Sequence, residues 1–322
     1  MGLTRRTLLS LPLIPLGPVS RLTGPPKAPE PLETHIIFGG DVMLARAVAD
    51  VAHRKKDWTS PMRDVASLFS TADIAFVNLE SPFWDKKPIG NSELIFRAEP
   101  DSIAALKSAG IDIVSTANNH ARDCYADGVG FTLRWLKENG IAIAGSGEDA
   151  ATAHAGAVLT RNGWRFGFLG YTFDQSNGNH PDIDPRIAML DIDQMRRDVA
   201  DMKRRAEVIV VSMHAGAEYW THVHPIQTAF AHAAIDAGAR LVIGHHPHVV
   251  QPVERYRDGL ICYSLGNLVF DQQREGTRQG LVVEVTFLGI EPVRYRLIPV
   301  DIVDTVPRVS ASRPEQRHTF NE

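Results

Sequence analysis

The chain has 322 residues, 44% of them hydrophobic and 22% charged, with 25 Gly and 20 Pro. Those fractions exclude a disordered chain, a collagen-like repeat and a coiled-coil rod. The net charge of −4, from 34 basic and 38 acidic residues, speaks against a nucleic-acid surface. Without the first 24 residues, which hold Arg5, Arg6 and Arg21 and no acid, the balance is 31 against 38, or −7.

Thr4-Arg5-Arg6-Thr7-Leu8-Leu9 sets two arginines before an apolar run from Leu8 to Val19, the pattern of a twin-arginine export signal. The run carries Pro12, Pro15 and Pro18 and is too short to span a bilayer, which needs about 20 apolar residues. A frayed tail is the plainer alternative, since no clean small-x-small cleavage site follows. Gly24 to Pro31 then reads as an extended linker. The expected organisation is a signal segment over 1–24, a Pro-rich linker over 25–33, one folded domain over 34–304 and a polar, disordered tail over 305–322. The expected location is periplasmic or cell-envelope, and the protein is not integral to the membrane. Cys124 and Cys262 are the only cysteines, so no disulfide framework holds the fold; they either pair after export or stay as two buried thiols.

From Glu33 onward, short β-branched runs alternate with amphipathic segments, which predicts an α/β fold. Buried strands are expected at His35–Phe38, Ile74–Val77, Ile111–Val114, Val208–Val211 and Leu241–Ile243. Helices are expected at Met43–Lys55, in a short piece up to Phe69, and at Asp101–Ala109, Gly128–Asn139, Asp193–Arg204 and Gln227–Ala237. After Val249 the pattern turns to strands at Val249–Arg257, Gly259–Ser264, Leu281–Phe287 and Val293–Val300.

The five buried strands run into Gly39-Gly40-Asp41, Asn78-Leu79-Glu80, Ala117-Asn118-Asn119-His120, Met213-His214 and Gly244-His245-His246-Pro247-His248. Open α/β sheets bind ligands beyond the carboxyl ends of their strands, so these clusters are expected to converge on the edge of a single sheet. Each has an ordinary reading: a turn or N-cap for Asp41, a solvated acid for Glu80, turn geometry for Asn118 and Asn119, a core histidine for His214. Three imidazoles in four residues at a strand end have few structural uses, and the joint placement points to metal. His35, His53, His154, His180 and His232 read as surface or core residues, while His222 and His224 either line the cleft or pack a loop.

Imidazole, carboxylate and amide ligands without thiolate suit Mn, Fe, Zn or Co and do not distinguish them. Two divalent ions held by Asp41, Glu80, Asn119, His214, His246 and His248 would carry a net charge of about +2 and polarise an oxyanion. Glu80 is the candidate bridge, holding the ions about 3.5 to 4 Å apart so that a shared water turns nucleophilic near neutral pH. His120 is placed to protonate a leaving group, and Asp123 to orient its ring if the segment starts a helical turn.

The ordered series Gly40-Asp41, Asn78-Leu79-Glu80-Ser81-Pro82, Ala117 to His120, His214 with Gly216 and Glu218-Tyr219, Gly244 to Pro252 and Tyr263 to Asn267 resembles the CapA family. That family is associated with capsule and poly-gamma-glutamate synthesis and belongs to the calcineurin-like metallophosphatases. The resemblance covers about residues 34 to 300. It implies a metallophosphatase-like β-sandwich flanked by helices in α-β-β-α layers, with a dinuclear centre at the sheet edge. It places Asp41 on the first ligand aspartate, Glu80 on the bridge, Asn119 and His120 on the ligand and proton-donor pair, His214 on the lone ligand histidine, and His246 with His248 on the His-x-His pair.

Two positions depart from the pattern. Met43 stands where a histidine is usual, so one ion loses a ligand, and Glu80 stands where aspartate is usual. The aspartate after Asn-His falls on Asp123 or Asp127. The implied function is a metal-dependent hydrolase acting on a phosphoester or related linkage in an envelope polymer or its phosphorylated precursor, with capsule-synthesis machinery as a partner. The alternative is a non-catalytic metal-binding assembly component, which Met43 favours and His120 disfavours.

Overall fold

The computed structural model describes residues 32–86, 94–175 and 182–320. The signal segment, the linker up to Pro31 and His180 lie outside them. In chain order the strands are β1 (Glu33–Val42), β2 (Ile74–Leu79), β3 (Ile113–Ser115), β4 (Ala142–Ala144), β5 (Ala157–Arg161), β6 (Trp164–Thr172), β7 (Val208–His214), β8 (Leu241–His245), β9 (Val253–Tyr256), β10 (Gly259–Cys262), β11 (Asn267–Val269), β12 (Gln279–Leu288), β13 (Glu291–Val303), β14 (Val306–Val309) and β15 (Gln316–Thr319). The α-helices are α1 (Arg46–Lys55), α2 (Ala66–Ser70), α3 (Ile103–Ser108), α4 (Tyr125–Glu138), α5 (Ala150–Ala155), α6 (Ile192–Met202) and α7 (Pro225–Ala237). No helix among the described residues is long and apolar enough to cross a membrane.

These elements form two sheets flanked by helices. The first sheet runs β14-β13-β12-β1-β2-β3-β4, with β11 paired to β1 and β15 to β13; the second runs β5-β6-β7-β8-β10-β9. Their central strands are parallel and buried on both faces, which is why they read as continuous apolar runs. The two-residue period then splits each run between layers. Ile36, Phe38, Ile74 and Phe76 meet Phe166, Phe168, Val208 and Val210 in the core between the sheets. Ile37, Ala75 and Val77 face the other way, onto Val48 of α1, Phe69 of α2 and Leu106 of α3. On the far side, Ile209 and Val211 pack against Met195 and Val199 of α6 and Phe230 and Ala234 of α7.

The segment from Ser264 to Asn267 ties the two sheets together at their carboxyl ends. A Cβ at Gly40 would lie 1.9 Å from the Gly266 carbonyl oxygen, and one at Gly244 would lie 2.0 Å from that of Tyr263. Only glycine permits this approach, and it lets the Asp41 amide donate to Gly266 O at 3.0 Å.

Three expectations need correction. The ligand clusters do not share one sheet: β1, β2 and β3 belong to the first, β7 and β8 to the second, and the clusters meet where the two edges face each other. The tail is not disordered, because β14 and β15 pair with β13. Their side chains are largely exposed, so composition showed polarity while main-chain hydrogen bonds supply the order. Finally β4, β5 and β6 went unseen: β4 has three residues, β5 is a half-buried edge, and glycines interrupt β6. The two cysteines are free and buried, and burial pushes both thiols up to about 12.

Candidate metal centre

Asp41 closes β1, Glu80 follows β2, Asn119 and His120 follow β3, His214 closes β7, and His246 and His248 follow β8. All eight predicted site residues, Asp123 included, are buried. Ligand atoms of Glu80, His214 and His246 lie within 4.8 Å of one another, and so do those of Asp41, Glu80 and His248. The two trios share Glu80, the arrangement a bridging carboxylate requires. Asn119 joins the first trio, its Oδ1 lying 2.7 Å from His214 Nε2. With bonds of about 2.1 Å, adjacent ligand atoms on one ion stand about 3 Å apart, so this pair can share an ion.

Glu80 provides the test of fit. Both its carboxylate oxygens are buried without a hydrogen-bond partner among the described residues, as is His246 Nδ1. Its Oε1 stands 3.8 Å from His120 Nε2, 3.8 Å from His214 Nε2 and 3.7 Å from His248 Nε2, too far for hydrogen bonds. A buried carboxylate so placed costs several kcal/mol unless a cation meets it. The donor set therefore fits divalent ions.

The two positions are unequal. Among the described residues, one has Glu80, Asn119, His214 and His246; the other has Asp41, Glu80 and His248. Met43 packs into the helix-side core, and its sulfur accepts the Ala45 amide at 3.1 Å, so β1 sends no further ligand inward. His246 and His248 both hold positive φ, 98° and 58°, a conformation that costs non-glycine residues about 1–3 kcal/mol and is kept where surrounding contacts fix it.

Sequence reasoning left several supporting residues unassigned. Asn78 donates to Asp41 Oδ1 at 2.8 Å, and Asn118 donates to the Leu79 carbonyl at 2.8 Å. His248 Nδ1 lies 2.9 Å from Asn267 Oδ1, whose amide group donates to Gln272 Oε1 at 3.0 Å and Thr277 O at 2.9 Å. This fixes the His248 ring and leaves Nε2 facing Glu80. His245 was passed over; it is fully buried, with Nδ1 3.4 Å from Asp41 Oδ1. Such amides look like turn formers in a sequence, and only their place beside strand ends hinted at more.

His120 faces the same carboxylate. Its Nδ1 is 2.8 Å from Asp123 Oδ2, and its ring stacks on Phe96 with centroids 3.7 Å apart. Asp123 also accepts the Phe96 amide at 2.6 Å. Asp127 is exposed on the first turn of α4, so the oriented partner of His120 is Asp123. The remaining histidines sit elsewhere: His35, His53, His154 and His232 meet Glu284, Glu99, Asp198 and Glu254. His224 caps α7, and His222 packs on Trp220.

Burial works to raise the Asp41 carboxyl, but His245 and His248 more than offset it and hold the group well below the ordinary range. Glu80 goes the other way, pushed well above by burial, with the nearby acids adding to the effect. Burial, with repulsion from neighbouring imidazoles, lowers His214 strongly and His246 to about 3. For His248 burial is outweighed by Glu80 and Asp41, which raise it to about 9. A metal must displace protons from Glu80 and His248, whereas His214 and His246 are neutral already. Affinity of the Asp41 position is therefore expected to rise between pH 6.5 and about 9, by up to about tenfold per pH unit for each proton displaced. Calorimetry in buffers of different ionisation enthalpy would measure that release; pH-independent affinity would contradict it. In the metal-free chain the raised His248 stabilises the fold below its unfolded value of 6.5, and this contribution is lost as pH climbs through about 9.

Fold and site together define a two-sheet α/β protein, flanked by helices, with a candidate metal centre where the two sheet edges meet. Residues 35–272 match the family model described as bacterial capsule synthesis protein PGA_cap, and the chain belongs to that family. It is 31% identical over 278 residues to the PGA biosynthesis protein CapA of Bacillus subtilis, covering 84% of this chain and 72% of that one. It is 28% identical over 296 residues to the capsule biosynthesis protein CapA of Bacillus anthracis, covering 88% and 71%. Among solved structures, a hypothetical protein from Thermus thermophilus matches with a TM-score of 0.53 at 18% identity, over 83% of this chain and 99% of that one, a likeness of fold alone.

Proposed function

We propose that this protein is an exported, metal-dependent hydrolase of envelope polymer synthesis, acting on a phosphoester or related linkage in a capsular or poly-gamma-glutamate-type polymer or its phosphorylated precursor. The observation that carries this is Glu80, a buried carboxylate shared by two ligand trios with both oxygens unpartnered. Divalent ions held there by Asp41, Glu80, Asn119, His214, His246 and His248 supply Lewis acidity and make a water nucleophilic near neutral pH. His120 presents Nε2 toward the centre while Asp123 holds Nδ1, so the ring can give a proton to a departing oxygen. Phe96 covers one face of that ring and keeps water from it.

The relatives' names support the polymer context. The twin-arginine pattern supports export, and a chain that folds before crossing can load its ions first. A binding component that retains the centre for assembly is the second reading, favoured by the three-ligand position beside Met43. The deciding experiment is metal analysis of the purified protein together with turnover of a chromogenic phosphoester panel and γ-glutamyl substrates. Bound metal with turnover supports the hydrolase; bound metal with none points to the assembly role.

A further inference from the structure

At the mouth of the centre, two arginines lie over aromatic rings. Arg46 lies 4.9 Å from the centroid of Phe96, the ring stacked on His120, and Arg274 lies 4.2 Å from that of Tyr219. Their charges are treated differently. Asp271 takes Arg46 through two contacts, at 2.5 and 3.1 Å, whereas Arg274 makes no ion pair among the described residues. Glu218, next to Tyr219 in sequence, is exposed; it hydrogen-bonds Tyr219 and acts electrostatically on Glu80 and His248, and it forms no ion pair with Arg274 among the described residues.

The position of Arg274 is nevertheless set by the side chains that set His248. Tyr219, at φ 67°, donates its amide to Pro247 O at 2.8 Å, inside the His246-Pro247-His248 turn, and its ring centroid is 6.3 Å from that of His248. Gln272 donates to Tyr219 Oη at 3.4 Å and accepts from Asn267, the residue that holds His248. Thr277 Oγ1 donates to the Arg274 carbonyl at 2.7 Å, and Thr277 O accepts from Asn267. A guanidinium lying on an aromatic face keeps its N–H fork free at the edge, and that fork matches the two oxygens of a carboxylate or phosphate.

We propose that Arg274, held on Tyr219, binds a second oxyanion of the substrate, a carboxylate or phosphate carried away from the bond that is cut. This rests on the hydrolytic reading of the centre. The substrate is then polyanionic, one anion meeting the metal centre and another meeting the rim.

The test uses the metal-loaded full chain and a series of alkyl phosphates of varied length ending in methyl, carboxylate or phosphate, with binding read by calorimetry. Wild type should bind a probe with a charged end about 10- to 100-fold more tightly than its methyl-ended counterpart at one favoured length. Arg274→Ala should erase that preference with metal content unchanged, and Arg274→Lys should restore part of it, since charge returns without the fork. Comparing the two charged ends shows which anion the site takes. A wild type with no preference, or with no binding of any probe, overturns the proposal, and so does a preference that survives in Arg274→Ala. Preference lost in Arg274→Ala but without turnover of any probe keeps the anion site and counts against phosphoester hydrolysis at the centre, so the two failures are told apart.

Discussion

Glu80→Gln is expected to empty the position formed with Asp41 and His248 and to weaken the other, so that purified protein binds less metal than the wild type. The reason is the sharing of one carboxylate. Glu80 contributes to both trios, and nothing else among the described residues stands between them with two unpartnered oxygens. Glutamine keeps the shape but offers one oxygen and no charge, so the Asp41 position falls to two full ligands. The loss should exceed the roughly 10- to 100-fold in affinity that removing an outer-shell partner costs. The variant should still fold, because glutamine is a neutral group of the same shape in a site where burial already favours the neutral carboxyl. Metal content by mass spectrometry of the native protein, beside a thermal melt, would read both outcomes. Metal content equal to the wild type's in Glu80→Gln would show that Glu80 is not the bridge.

Much of the fold was legible because burial on both faces writes itself into sequence as uninterrupted Ile, Val and Phe. β1, β2, β7 and β8 were placed for that reason. What the pattern does not carry is which sheet a strand joins, since Val208 to Val211 is as apolar as Ile74 to Val77 although they lie in different sheets. Residues that act through main-chain pairing, as Gln316–Thr319 does on β13, were equally invisible. In the site, acids and imidazoles at strand ends were readable one by one, and the structure gathers them. Their supports were not: Asn78, Asn267 and His245 act through contacts across 37, 19 and 204 positions of chain, respectively with Asp41, His248 and Asp41. The choice between Asp123 and Asp127 likewise needed the turn at Asn118 to Asp123, which folds Asp123 back under His120.

Replacing His120 by alanine should lower kcat by about 10²- to 10⁴-fold while both ions stay bound, the range for removing a positioned proton donor. His120 Nε2 stands 3.8 Å from Glu80 Oε1, and Asn119 and His214, not His120, supply the neighbouring ligand atoms. The ring thus reaches the reaction space without belonging to either trio. Asp123→Asn separates orientation from presence: the amide still fits beside Nδ1 but holds the ring less firmly than the carboxylate, so kcat should fall to between wild type and His120→Ala with metal content unchanged. Substrates with a good leaving group, such as nitrophenyl esters, need little protonation and should lose far less in His120→Ala than alkyl esters do. Equal losses on both classes would place His120 in substrate binding, and loss of metal along with activity would make it a ligand.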